Sequence, residues 1–548
     1  MNVTGRRLGG VCIWMVALAS GLVLGQAYPD SVGVGIDAGS EGARSRMFVD
    51  LGKVWRPMTR LESNEPAPTD ERGWPLSDAK TVLFDIRPIP AWSPPIDDPE
   101  QFQPDWSGTY KVSFRGQAEL RGFDISQFRV KNQSYDPLTN TTKLDLVVEP
   151  GTGLVAISFV NTRRSPEDAT GTGFTDLRVI RPGYPEDTGK IFTDEFLTAL
   201  KPFRVIRFMG FLHSNNTNPV YPEVVEWSER RLPSHATQQR IGKTAGFAWE
   251  YAIEICNLSG KDMWINIPVA ATEDYIRNLA ELLKEKLKPE LRLYVEINNE
   301  VWNPGFTQYR YNMAAAVAEV EAGGSPLNAD IPGIGSGDRN EWHRRRHAKG
   351  LVDAIRIFGE VFGPEEINQR IRSVHSWWTI YPAEYRRVLE WVRHVYGDPS
   401  NHFYAIAKTQ YFNAARAPAD ATVEQILEAM KANSDNGRRY TQELRRVADD
   451  FQLRLFAYEG GPDNGGGSTV NVGNRILANR SEAMADLMKY DLRENWFNLG
   501  GELHMYLELV GPYSRFGCWG QTEDIINLNT PRMRAIYELV GMDPPARP

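Results

Sequence analysis

From about residue 190 onward, short β-rich runs alternate with amphipathic helical stretches, and no other feature constrains the fold as strongly. A strand, a crossover helix and a second strand build parallel sheet, because the helix must carry the chain back across the sheet face. The runs are RVIRFMG (204–210), MWINIP (263–268), LRLYVEINN (291–299), IRSVHSWW (371–378), FYAIAKTQYF (403–412), LRLFAYEG (453–460) and ELHMYLEL (502–509). Helical periodicity fills the intervals at Glu273 to Leu287, Pro382 to Tyr396, Val423 to Phe451 with breaks, and Ser481 to Phe497. Seven runs leave a closed eight-stranded parallel barrel one strand short. VGVGID (32–37) supplies it, followed by a helix-like segment from Met47 to Trp55 as the first barrel helix.

Residues 75–182 have a different texture: TVLFDI, TYKVSF, LDLVVEP, LVAISFV and DLRVIRP are short alternating or apolar runs separated by turn-rich stretches. That pattern predicts a β-sandwich. Two placements compete. DLRVIRP (176–182) could open the barrel and leave the sandwich as an N-terminal domain, or the sandwich could interrupt the barrel after its first strand. The insertion is preferred, dividing the chain into 28–60 (first barrel strand and helix), 70–185 (β-sandwich) and 190–548 (the remaining barrel).

With 548 residues, 41% hydrophobic and 24% charged, the chain can bury a large core and a second module. Its net charge of -8 and pI near 5.7 give no footprint for a polyanion, so nucleic acid is not an expected partner. Residues 1–27 carry Arg6 and Arg7, an apolar run from Val11 to Leu24 and Gly25-Gln26-Ala27, the layout of a secretory signal cleaved near Ala27. The run is shorter than the ~20 apolar residues of a membrane span. An exported protein without a membrane anchor is expected. Beyond Cys12 in the leader, Cys256 and Cys518 could form one disulfide or stay as buried thiols. Asn-x-Ser/Thr sites occur at Asn132, Asn140, Asn215 and Asn257, and oligomeric state has no signature.

The fourth run ends in Asn298-Asn299-Glu300 and the seventh in Tyr458-Glu459-Gly460-Gly461. Catalytic groups of parallel barrels stand at the C-terminal ends of the strands. Alone, either glutamate reads as a solvated or helix-capping acid. Together, at strands four and seven, they resemble the clan A glycoside hydrolases, (β/α)8 barrels with an Asn-Glu pair ending strand four and a Glu ending strand seven. The resemblance covers the barrel and leaves the sandwich unmatched.

It implies a retaining hydrolase of β-linked polysaccharide or oligosaccharide, with Glu300 as acid/base, Glu459 as nucleophile and no cofactor or metal. Two carboxyls about 5–5.5 Å apart can protonate the leaving oxygen and stabilise an oxocarbenium-like carbon with retention. By the same resemblance Arg207 matches the arginine that holds the nucleophile ionised, and Asn299 the residue that binds the sugar 2-hydroxyl. Tyr411 matches a tyrosine touching the nucleophile, with Tyr404 and Tyr458 as nearby competitors, and Trp519 a sugar-stacking tryptophan. Of the fifteen tryptophans, Trp264, Trp302, Trp377 and Trp378 fall where a cleft is expected. Their faces suit pyranose rings.

Other signals are set aside. His343 and His347 stand at i and i+4, a spacing metals can use, but three arginines lie between them and a solvated helix face is the better reading. Trp106 or Tyr110 could give the sandwich a carbohydrate-binding surface, although bracing the barrel is the simpler role. A Gly/Pro-rich loop at 321–340 could shape a cleft, and a glycine-rich loop at 460–467 directly follows the seventh run. No Gly-x-Ser-x-Gly elbow or phosphate loop is present. The cleft aromatics lean toward endo action. The rivals are a catalytically silent carbohydrate-binding or cell-surface protein on the same barrel, and a transglycosylase.

Overall fold

The computed structural model describes residues 26–36, 39–88, 101–122, 127–212, 214–215, 224–239, 246–464 and 470–546. The expected signal segment up to Gly25, Cys12, Asp37 of the first run and residues 465–467 of the glycine-rich loop lie outside these residues.

The first strand, β1 (Val32–Gly35), is followed by two antiparallel sheets. β2 (Ala79–Asp85), β3 (Gly108–Arg115), β4 (Gln117–Gly122), β5 (Phe128–Asp136), β6 (Thr141–Val148), β7 (Leu154–Arg163) and β8 (Thr175–Ile180) divide into a three-stranded sheet ordered β2-β7-β4 and a four-stranded sheet ordered β5-β6-β3-β8. Their apolar faces meet through Phe84 and Tyr110, with centroids 6.4 Å apart, and through Phe114 and Phe159 at 5.8 Å. Trp106 and Tyr110 are buried here, and Arg181 lies 4.7 Å over the Trp106 ring. Neither offers a sugar-binding face, which corrects that expectation: both rings are core. DLRVIRP does not open the barrel either, since β8 pairs antiparallel with β3.

The chain then resumes parallel structure with β9 (Val205–Arg207), β10 (Asp262–Ile267), β11 (Leu293–Ile297), β12 (Ile371–Ser376), β13 (Ala405–Asn413), β14 (Arg454–Asp463) and β15 (Leu503–Tyr506). β1 hydrogen-bonds β9 on one side and β15 on the other, which closes an eight-stranded parallel barrel. Side chains alternate across each strand. Val205, Trp264, Tyr294, Val374, Ala405, Ala407, Phe456, Tyr458, Leu503 and Met505 fill the interior, while Ile206, Met263, Val295 and Ile297 join the core beneath the helices.

Those helices are α1 (Asp194–Ala199), α2 (Trp249–Ser259), α3 (Glu273–Lys286), α4 (Thr307–Glu321), α5 (Arg339–Phe362), α6 (Pro382–Tyr396), α7 (Val423–Asp450), α8 (Val472–Arg480), α9 (Glu482–Glu494) and α10 (Pro531–Leu539). The helix expected at Met47–Trp55 does not form; only Leu51–Lys53 makes a 3-10 turn. Its backbone groups are taken by neighbours: Val49 N–H donates to Ile191, and Arg181 N–H to Val49. α1, which follows the two sheets, occupies that interval instead. The breaks expected in α7 are absent as well. A Thr422–Gln425 capping box starts one continuous helix, and a buried face from Ile426 to Ala448 carries it through Gly437.

Cys256 and Cys518 are separate buried thiols, Cys256 on α2 and Cys518 in a small cluster with Val472, Ile476 and Tyr513. The alternative of a bridge falls. His343 and His347 also differ from expectation. Their rings face the barrel, with His343 Nε2 3.1 Å from the Val301 carbonyl and His347 Nε2 3.1 Å from that of Ile297. With Leu351 they form the inner stripe of α5, so they are core and not a solvated face.

Gly460 in β14 sits against unyielding neighbours: a Cβ there would come 2.5 Å from the Gln410 carbonyl oxygen and 2.7 Å from the His504 ring. Gly460→Ala is expected to destabilise the protein by about 1–3 kcal/mol through overpacking, read as a lowered melting temperature. An unchanged midpoint would show that β14 has room to move.

Candidate active site

Two departures from regular strand geometry put the glutamates at one rim. Along β14, Phe456 and Tyr458 face the interior, so strict alternation would send Glu459 toward the helices. The ladder between β13 and β14 shifts there, pairing Lys408 with Ala457 and Thr409 with Glu459 and leaving Tyr458 as the extra residue. A bulge re-aims the side chain that follows it. Glu459 accordingly turns inward and meets Arg207 Nη1 at 3.1 Å.

After β11 the backbone is left-handed at Asn298 (φ 52°) and again at Glu300 (φ 42°). Asn tolerates this conformation; for Glu it costs on the order of 1–2 kcal/mol and persists only where surroundings enforce it. Here Asn298 N–H donates to Ile267 at 2.7 Å, Asn266 donates to the Asn298 carbonyl at 2.7 Å, and Asn303 N–H donates to the Glu300 carbonyl at 2.8 Å. The Asn303 side chain also donates to Glu300 Oε2 at 2.9 Å.

The Glu300 and Glu459 carboxyls hydrogen-bond each other. Burial, and then the negative charge of Glu459, push the Glu300 carboxyl up to about 8. Burial also raises Glu459, but the Arg207 guanidinium opposes it, and so does the hydrogen bond from Glu300. The shared proton therefore resides on Glu300. One carboxyl is an acid and its neighbour an anion at the same pH.

Arg207, only 2% exposed, binds Glu296 Oε2 through Nη2 at 2.9 Å and Nε at 3.2 Å, and Asn299 Oδ1 through Nη2 at 2.7 Å. Glu296 also accepts from Trp264 Nε1 at 2.9 Å, Asn266 Nδ2 at 2.8 Å and the Ser376 hydroxyl at 2.5 Å. The sequence reading missed Glu296 and Asn303. The signal for Glu296 was present: an acid at an inward position of a wholly apolar strand must be paired. Nothing short of the loop's geometry marks Asn303.

The other expected site residues separate into two groups. Tyr411 stands close enough to Glu459, Asp463 and Glu300 that, after burial, their charges hold its phenol above the ordinary range. Of its competitors, Tyr458 lies in the barrel interior with its hydroxyl accepting from Trp302 Nε1 at 3.2 Å, and Tyr404 precedes β13, under Arg372 and Arg454. Trp302 stacks on Trp378 at 4.9 Å, and Tyr381 meets Trp378 edge-on. Trp519 donates to Asp463 Oδ1 at 3.0 Å, at the same end of β14 as Glu459.

Trp264 and Trp377, by contrast, line no cleft, which corrects that expectation. Trp264 is fully buried beneath Arg207, because it shares the interior face of β10 with Asn266; Trp377 is buried against His343 and His347 and donates to Glu384 at 2.7 Å. Asn299 is near the pair but wholly engaged, with Nδ2 donating to Asn215 at 3.0 Å.

No protein-family model matches the chain, and no curated protein matches its sequence. Solved structures similar to it include a GH51 arabinofuranosidase from Xanthomonas axonopodis pv. citri, 13% identical, with a TM-score of 0.38 over 65% of this chain and 68% of that one. A psychrophilic glycoside hydrolase family 10 endo-β-1,4-xylanase is 9% identical, with a TM-score of 0.29 over 58% and 82%. The hyperthermostable endo-1,4-β-D-mannanase from Thermotoga petrophila RKU-1 is 13% identical, with a TM-score of 0.26 over 56% and 96%. These overlaps are shallow and concern the barrel fold.

A carboxyl held above its unfolded value weakens folding as pH rises from about 4.3 through the folded value of about 8. Glu300→Gln lacks that titration. Its melting temperature is expected to exceed that of the wild type by a margin that widens from about pH 5 to about pH 8. A margin that narrows with pH would show that Glu300 is not the protonated partner.

Proposed function

We propose that the protein is a secreted retaining glycoside hydrolase, cleaving β-glycosidic bonds within a polysaccharide or oligosaccharide by double displacement. The observation that carries this reading is the coupled pair Glu300–Glu459, of which Arg207 binds Glu459 and not Glu300. Two carboxyls near enough to shift each other's titration fit the separation of about 5–5.5 Å in retaining enzymes better than the roughly 6.5–9.5 Å that seats an inverting enzyme's water.

Glu459 attacks the anomeric carbon as the glycosidic C–O bond breaks, and the Glu300 proton passes to the leaving oxygen. In the second step Glu300 removes a proton from water, which attacks the same carbon and releases Glu459. Arg207 keeps the Glu459 oxygen anionic between turnovers. Asn299 would reach a sugar 2-hydroxyl by exchanging Asn215 for it. Tyr411, Trp302, Trp378 and Trp519 are assigned to the substrate, and the Trp302–Trp378–Tyr381 row supports an extended chain and endo action. The two antiparallel sheets read as a β-sandwich domain over 70–185 that braces the barrel, and the leader read from residues 1–27 supports secretion.

Trapping with a 2-fluoro glycoside and mapping the labelled peptide is expected to place the adduct on Glu459; an adduct on another residue overturns the assignment. Glu300→Gln is expected to lose about 10²–10⁴-fold in turnover on unactivated substrates. Azide should restore cleavage of aryl glycosides. In the wild type, kcat/KM should fall as pH rises through the Glu300 value of about 8, because the ionised form has no proton to deliver.

A further inference from the structure

Beside the carboxyl pair lies a cavity of about 530 Å³, between the ends of β12 and β13 and the middle of α7. That size is ordinary for a small-molecule site. Its wall is shared with the candidate active site, because Tyr411 lines it while standing among Glu459, Asp463 and Glu300, and Trp378 lines it while stacking on Trp302.

The charges of the lining are one-sided. Lys408, Arg416 and Arg439 contribute cations, and no aspartate or glutamate lines the cavity. Elsewhere on α7 Lys431 pairs with Asp435 at 2.8 Å and Arg445 with Asp449 at 2.7 Å, while Arg438 binds the uncharged Glu494 carbonyl and Asn495 Oδ1. Among the described residues Arg416 and Arg439 form no ion pair. The Arg439 guanidinium donates to the Tyr440 hydroxyl at 2.6 Å and lies 4.5 Å from that ring's centroid, which fixes its direction. Lys408 is 1% exposed and donates to two uncharged groups, the Thr409 carbonyl at 3.0 Å and Gln410 Oε1. Asp491, whose charge acts on Lys408, lies behind Gln410 and binds its amide at 3.2 Å. Burial lowers the Lys408 ammonium to about 7, so an anion in the cavity would restore its charge.

We propose that this cavity is a subsite for a sugar residue bearing an anionic substituent, a carboxylate or a sulfate ester, next to the bond that is cleaved. The inference rests on the glycoside hydrolase reading and specifies its substrate as an acidic glycan. Guanidinium forks match oxyanions with two parallel hydrogen bonds, while Trp378, Tyr411 and Tyr440 give the wall aromatic surface of the kind sugars pack against. In a protein of net charge -8, a confined cationic pocket also offsets the general repulsion of an acidic chain.

The test is calorimetric titration of D-glucuronate, D-glucose 6-sulfate and D-glucose into the full-length protein and into an Arg416→Gln/Arg439→Gln double variant, with circular dichroism to verify folding. At least one acidic sugar is expected to bind about tenfold or more tightly than glucose, and the folded double variant to lose that preference. Preference for glucuronate identifies a carboxylate ligand, and preference for the sulfate a sulfate ester. Equal binding of all three sugars, or an unchanged preference in the double variant, overturns the proposal. Parallel digestion of polyglucuronate and its carboxyl-reduced form separates the two readings. Hydrolysis of both at equal rates rejects the acidic subsite and leaves the hydrolase standing. Arginine-dependent binding with no hydrolysis of any glycan keeps the subsite and rejects the hydrolase.

Discussion

A guanidinium buried inside the barrel, Arg207, takes Glu296 at 2.9 Å on one side and Glu459 at 3.1 Å on the other. Without it two carboxylates would share a closed space with a third, and burial alone would drive protons onto them. One guanidinium cannot offset every carboxyl in this enclosed space, so a proton is retained among them. The proton falls to Glu300, which touches Glu459 but receives no bond from Arg207. Asn299 bonds Arg207 directly, while Trp264, Asn266 and Ser376 hold Glu296 against it.

The chemistry sits where regular structure is broken. A bulge turns Glu459 inward, and two left-handed residues bend the chain at Glu300. Regular strands would place one acid under the helices and run the other on into the loop. The neighbours absorb these irregularities: Gly460 leaves space beside the Gln410 carbonyl, and Asn303 ties down the Glu300 loop from both its backbone and its side chain. Such strain is tolerated because the surroundings are over-determined.

The strands and most helices were legible because apolar periodicity reports burial, and the two glutamates were legible because their ordinal positions could be counted. What escaped was information carried by facing. Trp264 looked like a cleft aromatic, but the two-residue alternation of β10 places it inside with Asn266. His343 and His347 looked solvated beside three arginines, yet their spacing with Leu351 marks the buried stripe of α5. The segment Met47–Trp55 has helical texture, but its backbone groups are claimed by residues far along the chain, which local propensity does not register. The bulge at Tyr458 has no signature that could be read before the ladder was seen.

β1 is only four residues long, and it alone joins β9 to β15. Two whole sheets separate it in sequence from its nearer partner, and nearly the entire chain separates it from the other. A fragment trimmed to begin after those sheets would retain both glutamates and seven of the eight staves, but with two raw edges where the ring should meet. What looks like a detachable module is thus a hoop whose clasp is worn at the opposite end of the polypeptide.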